Sequence, residues 1–327
     1  TADVLTMTIA NANAASANGT FETTISGFER LSISNSAASN SVDLANLDDI
    51  NYVTSAGSAG TLTISNASSG FTLIQTAAAT TGHIVTLADS SATTDAITYK
   101  LTNAADTAAG TLTANGIETI AIESDDTAAV DNTTIDHTLT LSADSVTALT
   151  LTGDAQLTLT NTSTTLTSVD ASGMTDTFIW TTGNLAAAAT ITGGSKADTI
   201  NATATDVTTV DLTMDGGAGI DILTGGSGDD TITDTSGTGA AGNNLTGGAG
   251  NDTITGGEGA DTIAGGTGND SLVGAGGADA ITVSGNDTVD AGAGNDTITI
   301  SATAATASIA GGTGDDTIAA GVFLATG

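Results

Sequence analysis

Aspartate recurs every nine residues through GGAGNDTITGGEGADTIAGGTGND, Gly247 to Asp270, each time beside three glycines. The chemistry that this spacing offers is the binding of a hard cation. Aspartate supplies an anionic oxygen. Glycine lets the backbone reverse through positive φ, and a loop without Cβ atoms can turn its carbonyls inward. Carboxylate and carbonyl oxygens together suit Ca2+, which takes six to eight of them at about 2.3–2.6 Å. The aliphatic residue two places after each aspartate points the other way, into a core, at the centre of a short strand.

Six full copies of G-G-x-G-x-D-x-(aliphatic)-x begin at Gly216, Gly225, Gly247, Gly256, Gly265 and Gly311. Near copies begin at Gly193 (GGSKADTIN), Gly274 and Ala291, and a shortened copy, VSGNDTVD, spans Val283 to Asp290. Asp234 to Thr246 and Ile300 to Ala310 interrupt the array. Two nonapeptides make one coil with a turn on each side, so consecutive aspartates alternate edges. Asp252 and Asp270, or Asp261 and Asp279, then fall one coil apart on one edge. Stacked strands are about 4.8 Å apart. Carboxylates at that spacing repel unless a cation lies between them.

The array resembles the RTX family. That resemblance implies a right-handed parallel β-roll with Ca2+, about ten ions, bound between the glycine-rich loops. Carried over to this chain, the carboxylate ligands are Asp221, Asp230, Asp252, Asp261, Asp270 and Asp316 from full copies. Asp198, Asp279, Asp287 and Asp296 come from imperfect ones. The accompanying carbonyls lie near Gly217, Gly219, Gly226, Gly228, Gly248, Gly250, Gly257, Gly259, Gly266, Gly268, Gly277, Gly294, Gly312 and Gly314. Lys196 replaces the third glycine of its copy. The first interruption breaks the pairing of Asp221 and Asp230, where Asn243 or Asn244 is the substitute.

The elements that must hold these loops are read from composition. The 327 residues include 37 acidic and three basic ones, for a net charge of -34. Phosphate neutralisation needs a basic face, so nucleic acid is excluded as a partner, and an anionic membrane surface repels the chain. The natural partners are cations. The hydrophobic share is 39%, enough for a core, so the charge reads as a load for counter-ions rather than as disorder. Proline and cysteine are absent and aromatics are 2%. A Thr-rich, Pro-free chain suits strands, and an all-β fold with almost no helix is expected. No run of 18 or more apolar residues is present to span a bilayer. TADVLTMTIANANA, without a basic n-region, reads as the start of a processed fragment rather than as a signal peptide.

Of the 42 glycines, 31 lie after residue 192. The boundary is placed there: 1–192 is a Thr/Ala-rich strand region, and 193–327 is the calcium-binding roll. Upstream, aliphatic-x-aliphatic triplets mark half-buried strands: Leu31–Ile33, Leu62–Ile64, Leu139–Leu141, Leu149–Leu151 and Leu157–Leu159. The last three have nearly the downstream pitch, so stacking is expected to begin near residue 135. Before that, VLTMTI, FERLSI, INYVT, FTLI, HIVTL, AITYKL and IETIAI are spaced less evenly. Gly27-Phe-Glu-Arg-Leu-Ser-Ile33 and Gly116-Ile-Glu-Thr-Ile-Ala-Ile122 echo one another as a duplicated strand–turn unit.

Candidates for catalysis are few. His83 and His137 are the only histidines, and neither HExxH nor GxSxG occurs. Both histidines read as structural, and the chain reads as no enzyme. The acid pairs Asp48–Asp49 and Asp125–Asp126, the latter beside Glu123 and near Asp131, read as turns or further Ca2+ sites. Phe178-Ile179-Trp180 reads as a strand. The Thr runs TLTLT and QLTLTNTSTTLT read as ordinary strands, or as a flat array for a crystalline surface.

The phrases GFERLSI, GIETIAI, LTSVDASGM and ATITGGSKADTI look like the idiom of RTX-type bacterial surface-layer proteins, as in the caulobacters. The final GVFLATG resembles the apolar ending of type I export signals. The resemblance implies a secreted protein of the bacterial cell surface. It would self-assemble into a two-dimensional lattice, with Ca2+ driving folding and assembly. Cell-surface polysaccharide would be reached through an anchor absent from this chain. The alternatives are an RTX adhesin or ice-binding fragment, and the non-catalytic part of a secreted enzyme.

Overall fold

Alternating aliphatic and small polar residues form strands here because one face of each strand is buried. Leu149 and Leu151 are inside while Thr150 and Thr152 face out. The computed structural model describes residues 3–17, 27–34, 38–47, 50–128, 135–203, 210–234, 242–301 and 306–320. Asp48, Asp49, Asp131 and the terminal GVFLATG lie outside the described residues. The chain divides into unit 1, Thr1–Leu166, and unit 2, Thr167–Gly327, and each is a parallel β-solenoid.

In unit 1 one sheet stacks, in order, Val4–Met7, Arg30–Ile33, Tyr52–Ser55, Phe71–Gln75, Ala96–Asn103, Thr119–Asp126 and Ala148–Gly153. The other stacks Asn40–Asp43, Leu62–Ala67, Gly82–Leu87, Thr107–Thr113, Asp136–Ser142 and Gln156–Asn161. Every pair described is parallel, and after Val4–Met7 with Arg30–Ile33 the pairs join alternate strands, as in a coil. The ladder therefore already runs at Val4↔Arg30, well before residue 135. Uneven coils hid it. Equivalent residues lie 26 apart at Asp3 and Glu29 and 23 apart at Asp95 and Glu118, against 18 at Asp252 and Asp270.

Helix is scarce, as expected. Among the described residues it is Ile9–Ser16, whose N-cap Thr8 accepts the Asn11 N–H, and the single 3-10 turn Leu44–Asn46. The echoed phrases are one structural unit used twice. Gly27 and Gly116 both take positive φ. Glu29 Oε2 accepts the Asp3 N–H at 2.9 Å, and Glu118 Oε2 accepts the Asp95 N–H at 3.0 Å. In each case a carboxylate just ahead of a strand ties it to the coil before.

Unit 1 also buries polar groups. His83 Nδ1 lies 3.0 Å from Tyr99 Oη, and its Nε2 lies 3.4 Å from Ser55 Oγ. Tyr99 Oη donates to Gln75. His137 Nδ1 lies 2.9 Å from Ser124 Oγ. Burial pushes the His83 imidazole down to about 4, which keeps it neutral within the core. Lys100 pairs with Glu123. Asp125 beside them is held above the usual carboxylate range, by burial first and then by Glu123.

In unit 2 one sheet runs through Ser168–Met174, Ala189–Thr192, Leu212–Asp215, Thr231–Thr233, Thr253–Thr255, Ser271–Val273, Thr288–Asp290 and Ser308–Ala310. The other runs through Phe178–Thr181, Thr199–Asn201, Ile222–Thr224, Asn244–Ala249, Thr262–Thr267, Ala280–Val283, Thr297–Ile300 and Thr317–Ala320. The nonapeptide aliphatics Leu223, Ile232, Ile254, Ile263, Leu272, Ile281 and Ile298 form its core, with Phe178 and Trp180 in an early coil.

Candidate metal centre

The nonapeptide aspartates form two columns, one along each edge of unit 2. On one edge each carboxylate accepts, through Oδ1, the backbone N–H of its counterpart one coil earlier. Asp230 N–H donates to Asp252 at 2.8 Å, Asp252 to Asp270 at 2.9 Å, and Asp270 to Asp287 at 3.0 Å. Along the other edge the chain of donors runs Asp198, Asp221, Asn243, Asp261, Asp279, Asp296, ending on Asp316. Asn243, not Asn244, thus takes the aspartate's place at the interruption. Despite Lys196, Asp198 keeps its rung, accepting from Phe178 N–H at 2.7 Å. All ten predicted carboxylates therefore stand in the columns, and all but Asp316 are buried to 2% exposure or less.

The second oxygen, Oδ2, divides the loops into two kinds. In Asp198, Asp230 and Asp261 it accepts the N–H of the loop's own second residue, Gly194, Gly226 or Gly257. None of those glycines has positive φ. In Asp221, Asp252, Asp270, Asp279 and Asp296 no hydrogen-bond donor reaches Oδ2. There the second residue, Gly217, Gly248, Gly266, Ala275 or Gly292, lies at positive φ throughout. A positive φ turns that peptide so its N–H no longer points at the carboxylate. A buried oxygen without a donor is costly, so these five oxygens are the ones that a cation would satisfy, where the other loops supply an N–H.

The first glycine of each loop leaves a cradle lined by oxygens. A Cβ on Gly247 would lie 2.1 Å from Asp252 Oδ2 and 2.5 Å from the Gly265 carbonyl oxygen; one on Gly274 would lie 2.3 Å from Asp279 Oδ2 and 2.4 Å from the Ala291 carbonyl. Among the described residues no three His, Asp or Glu side chains converge on a point, so backbone carbonyls must supply most ligands. An all-oxygen set of carboxylates and carbonyls fits Ca2+ and does not suit zinc or copper.

Electrostatics agrees with that fit. Burial raises Asp198 and Asp279 to about 6 and Asp252 to about 7. Asp230, Asp261 and Asp270 are raised for the same first reason, and Asp221 by burial and then by Asp234. Few cations are available within the chain: Arg30 lies over the Tyr52 ring, Lys100 pairs with Glu123, and Lys196 is exposed.

Residues 213–233, 237–272, 246–281, 281–299 and 303–322 match the family model for the RTX calcium-binding nonapeptide repeat (4 copies). Unit 2 carries RTX calcium-binding repeats. They bind calcium and are typical of secreted extracellular proteins. The matched segments cover well under half of the chain. No curated protein and no solved structure matches it. Among the described residues no helix is long and apolar enough to cross a membrane.

Sequence reading missed a second ladder beside these RTX columns. At several loops the residue before the aspartate accepts, through Oδ1, from its counterpart in the next coil: Asp229 from Asn251, Asn251 from Asn269, and Asn295 from Asp315, while Asp211, which precedes Leu212, accepts from Asp229. It runs against the direction of the aspartate ladder, so adjacent coils are clamped both ways. The signal lies in the dipeptides Asn251-Asp252, Asn269-Asp270 and Asn295-Asp296, whose first residue is a variable position of the motif.

In the copy that begins at Gly265 the third glycine tolerates no side chain. Gly268 has φ +149, and a Cβ there would lie 1.7 Å from the Gly250 carbonyl oxygen, a backbone atom that cannot step aside. Gly268→Ala is therefore expected to destabilise calcium-loaded unit 2 by about 2–5 kcal/mol, from close packing and backbone strain together. Thermal melts in calcium check this; an unchanged Tm would show that the loop is not so packed.

Proposed function

We propose that the chain is a calcium-dependent structural protein of a bacterial surface layer that assembles with copies of itself. It is read as no enzyme. It is exported by a type I route and reaches cell-surface polysaccharide. The observation that carries this reading is the regular outer face of unit 2. Ser168, Thr190, Thr213, Thr231, Thr253, Ser271, Thr288 and Ser308 pair in register on eight successive rungs, all but the half-buried Ser168 exposed. A straight hydroxyl column repeated at strand spacing offers copies a periodic contact. At a net charge of -34, copies repel one another until cations reduce that load.

The same column favours a second reading, an adhesin or ice-binding fragment holding a surface through threonine. Electron microscopy of the purified chain separates the two. Ordered sheets that form with calcium and dissolve in EGTA are expected. Monomers that stay dispersed in calcium yet bind ice or a host surface would overturn the lattice.

A further inference from the structure

One carboxylate at the metal edge belongs to no nonapeptide. Asp234 lies between the matched segments 213–233 and 237–272. It opens the loop that ends on Asn243, at the register position held by Gly216 one coil earlier and Gly256 one coil later. The backbone bonds fix that register: Gly193 N–H donates to Asp215 O, Asp234 N–H to Thr255 O, and Gly256 N–H to Val273 O. Asp215 pairs with Thr233, and Thr233 with Thr255. This loop has thus lost its ladder aspartate to Asn243 and carries its acid at the first position instead.

That exchange changes the cradle one coil earlier. In the cradles at Gly225, Gly247 and Gly274 the coil's own aspartate faces a main-chain carbonyl of the next coil. At Gly216 it faces a second carboxylate. A Cβ there would lie 2.6 Å from Asp221 Oδ2 and 2.5 Å from Asp234 Oδ2, so the two oxygens are within about 5 Å of each other. Both residues are 0% exposed, and no hydrogen-bond donor reaches Asp221 Oδ2. Two buried carboxylates at that range repel strongly, and burial denies them water.

We propose that Asp221 of a nonapeptide and Asp234, which lies outside the RTX motif, together hold a divalent cation, Ca2+. It binds more tightly than the neighbouring sites because a full charge replaces a carbonyl dipole. Ligand charge count is a principal determinant of calcium affinity. The site lies where the regular array is interrupted. This inference rests on the reading of the repeats as calcium-binding.

The test is calcium titration of the full chain by calorimetry, with Asp234→Asn and, separately, Asp221→Asn. Each variant is expected to weaken the tightest site at least about 10-fold while the weaker sites remain. Circular dichroism in EGTA supplies a readout that also exposes a folding defect. Removing one of two repelling charges should leave Asp234→Asn with more residual β-structure than wild type without calcium, whereas its Tm with calcium should be the lower of the two. A purely structural Asp234 would reduce both the residual β-structure in EGTA and the Tm in calcium. If the tightest affinity and the calcium count match wild type in both variants, the proposal is overturned while the calcium reading stands. If the wild-type chain binds no calcium, both fall.

Discussion

Stripped of divalent cations at neutral pH, the chain is expected to lose most of the β-structure of unit 2 and to regain it when millimolar calcium is returned. The size of the effect follows from the columns. Nine nonapeptide carboxylates are buried to 2% exposure or less, and a buried ion without compensation costs several kcal/mol. Backbone N–H groups offset part of this through Oδ1. The donorless Oδ2 atoms of Asp221, Asp252, Asp270, Asp279 and Asp296 have nothing comparable. A domain has only about 5–15 kcal/mol of net stability, so a few such groups suffice to unfold unit 2. Calcium that binds only the folded coil restores it by mass action. Circular dichroism in EGTA and in calcium measures the change.

The second large effect is a reversal of pH dependence. Without metal, the folded aspartates hold protons more tightly than unfolded ones do. Asp198 and Asp279 sit at about 6 and Asp252 at about 7, against an ordinary value of 3.8. Between about pH 4 and 7 the folded state then binds more protons, so stability falls as pH rises through that window. Each group contributes about 1–3 kcal/mol after allowance for water at the loop edge. The metal-free chain is therefore more structured at pH 5 than at pH 8. With calcium the sign inverts, because protons and cation compete for the same oxygens. Melting curves at both pH values, with EGTA and with calcium, show this crossing. Parallel trends in the two media would mean that the aspartates do not couple metal and fold.

Much of this was legible because the repeat is rigid. An 18-residue coil allows no drift, so Asp252 and Asp270 could be set on one edge from spacing alone, and the structure puts them there. Unit 1 was less legible because its coils vary in length. Its strand Thr107–Thr113 reads TAAGTLT, where Ala and Gly carry little β preference and only stacking makes the strand. Loop state was not legible at all. Gly226 and Gly248 hold the same place in the same motif, yet only Gly248 takes positive φ, and that difference decides which aspartate lacks a donor. Asp234 was passed over because it occupies a glycine's position.

Trp180 gives the most direct test of calcium-coupled folding. It is the only tryptophan, fully buried in the strand Phe178–Thr181 of unit 2. Titrating calcium into the stripped chain at neutral pH should move its emission to shorter wavelength as the ring enters the core, and EGTA should reverse the shift. An emission spectrum already that of a buried indole in EGTA, and unmoved by calcium, would contradict the account.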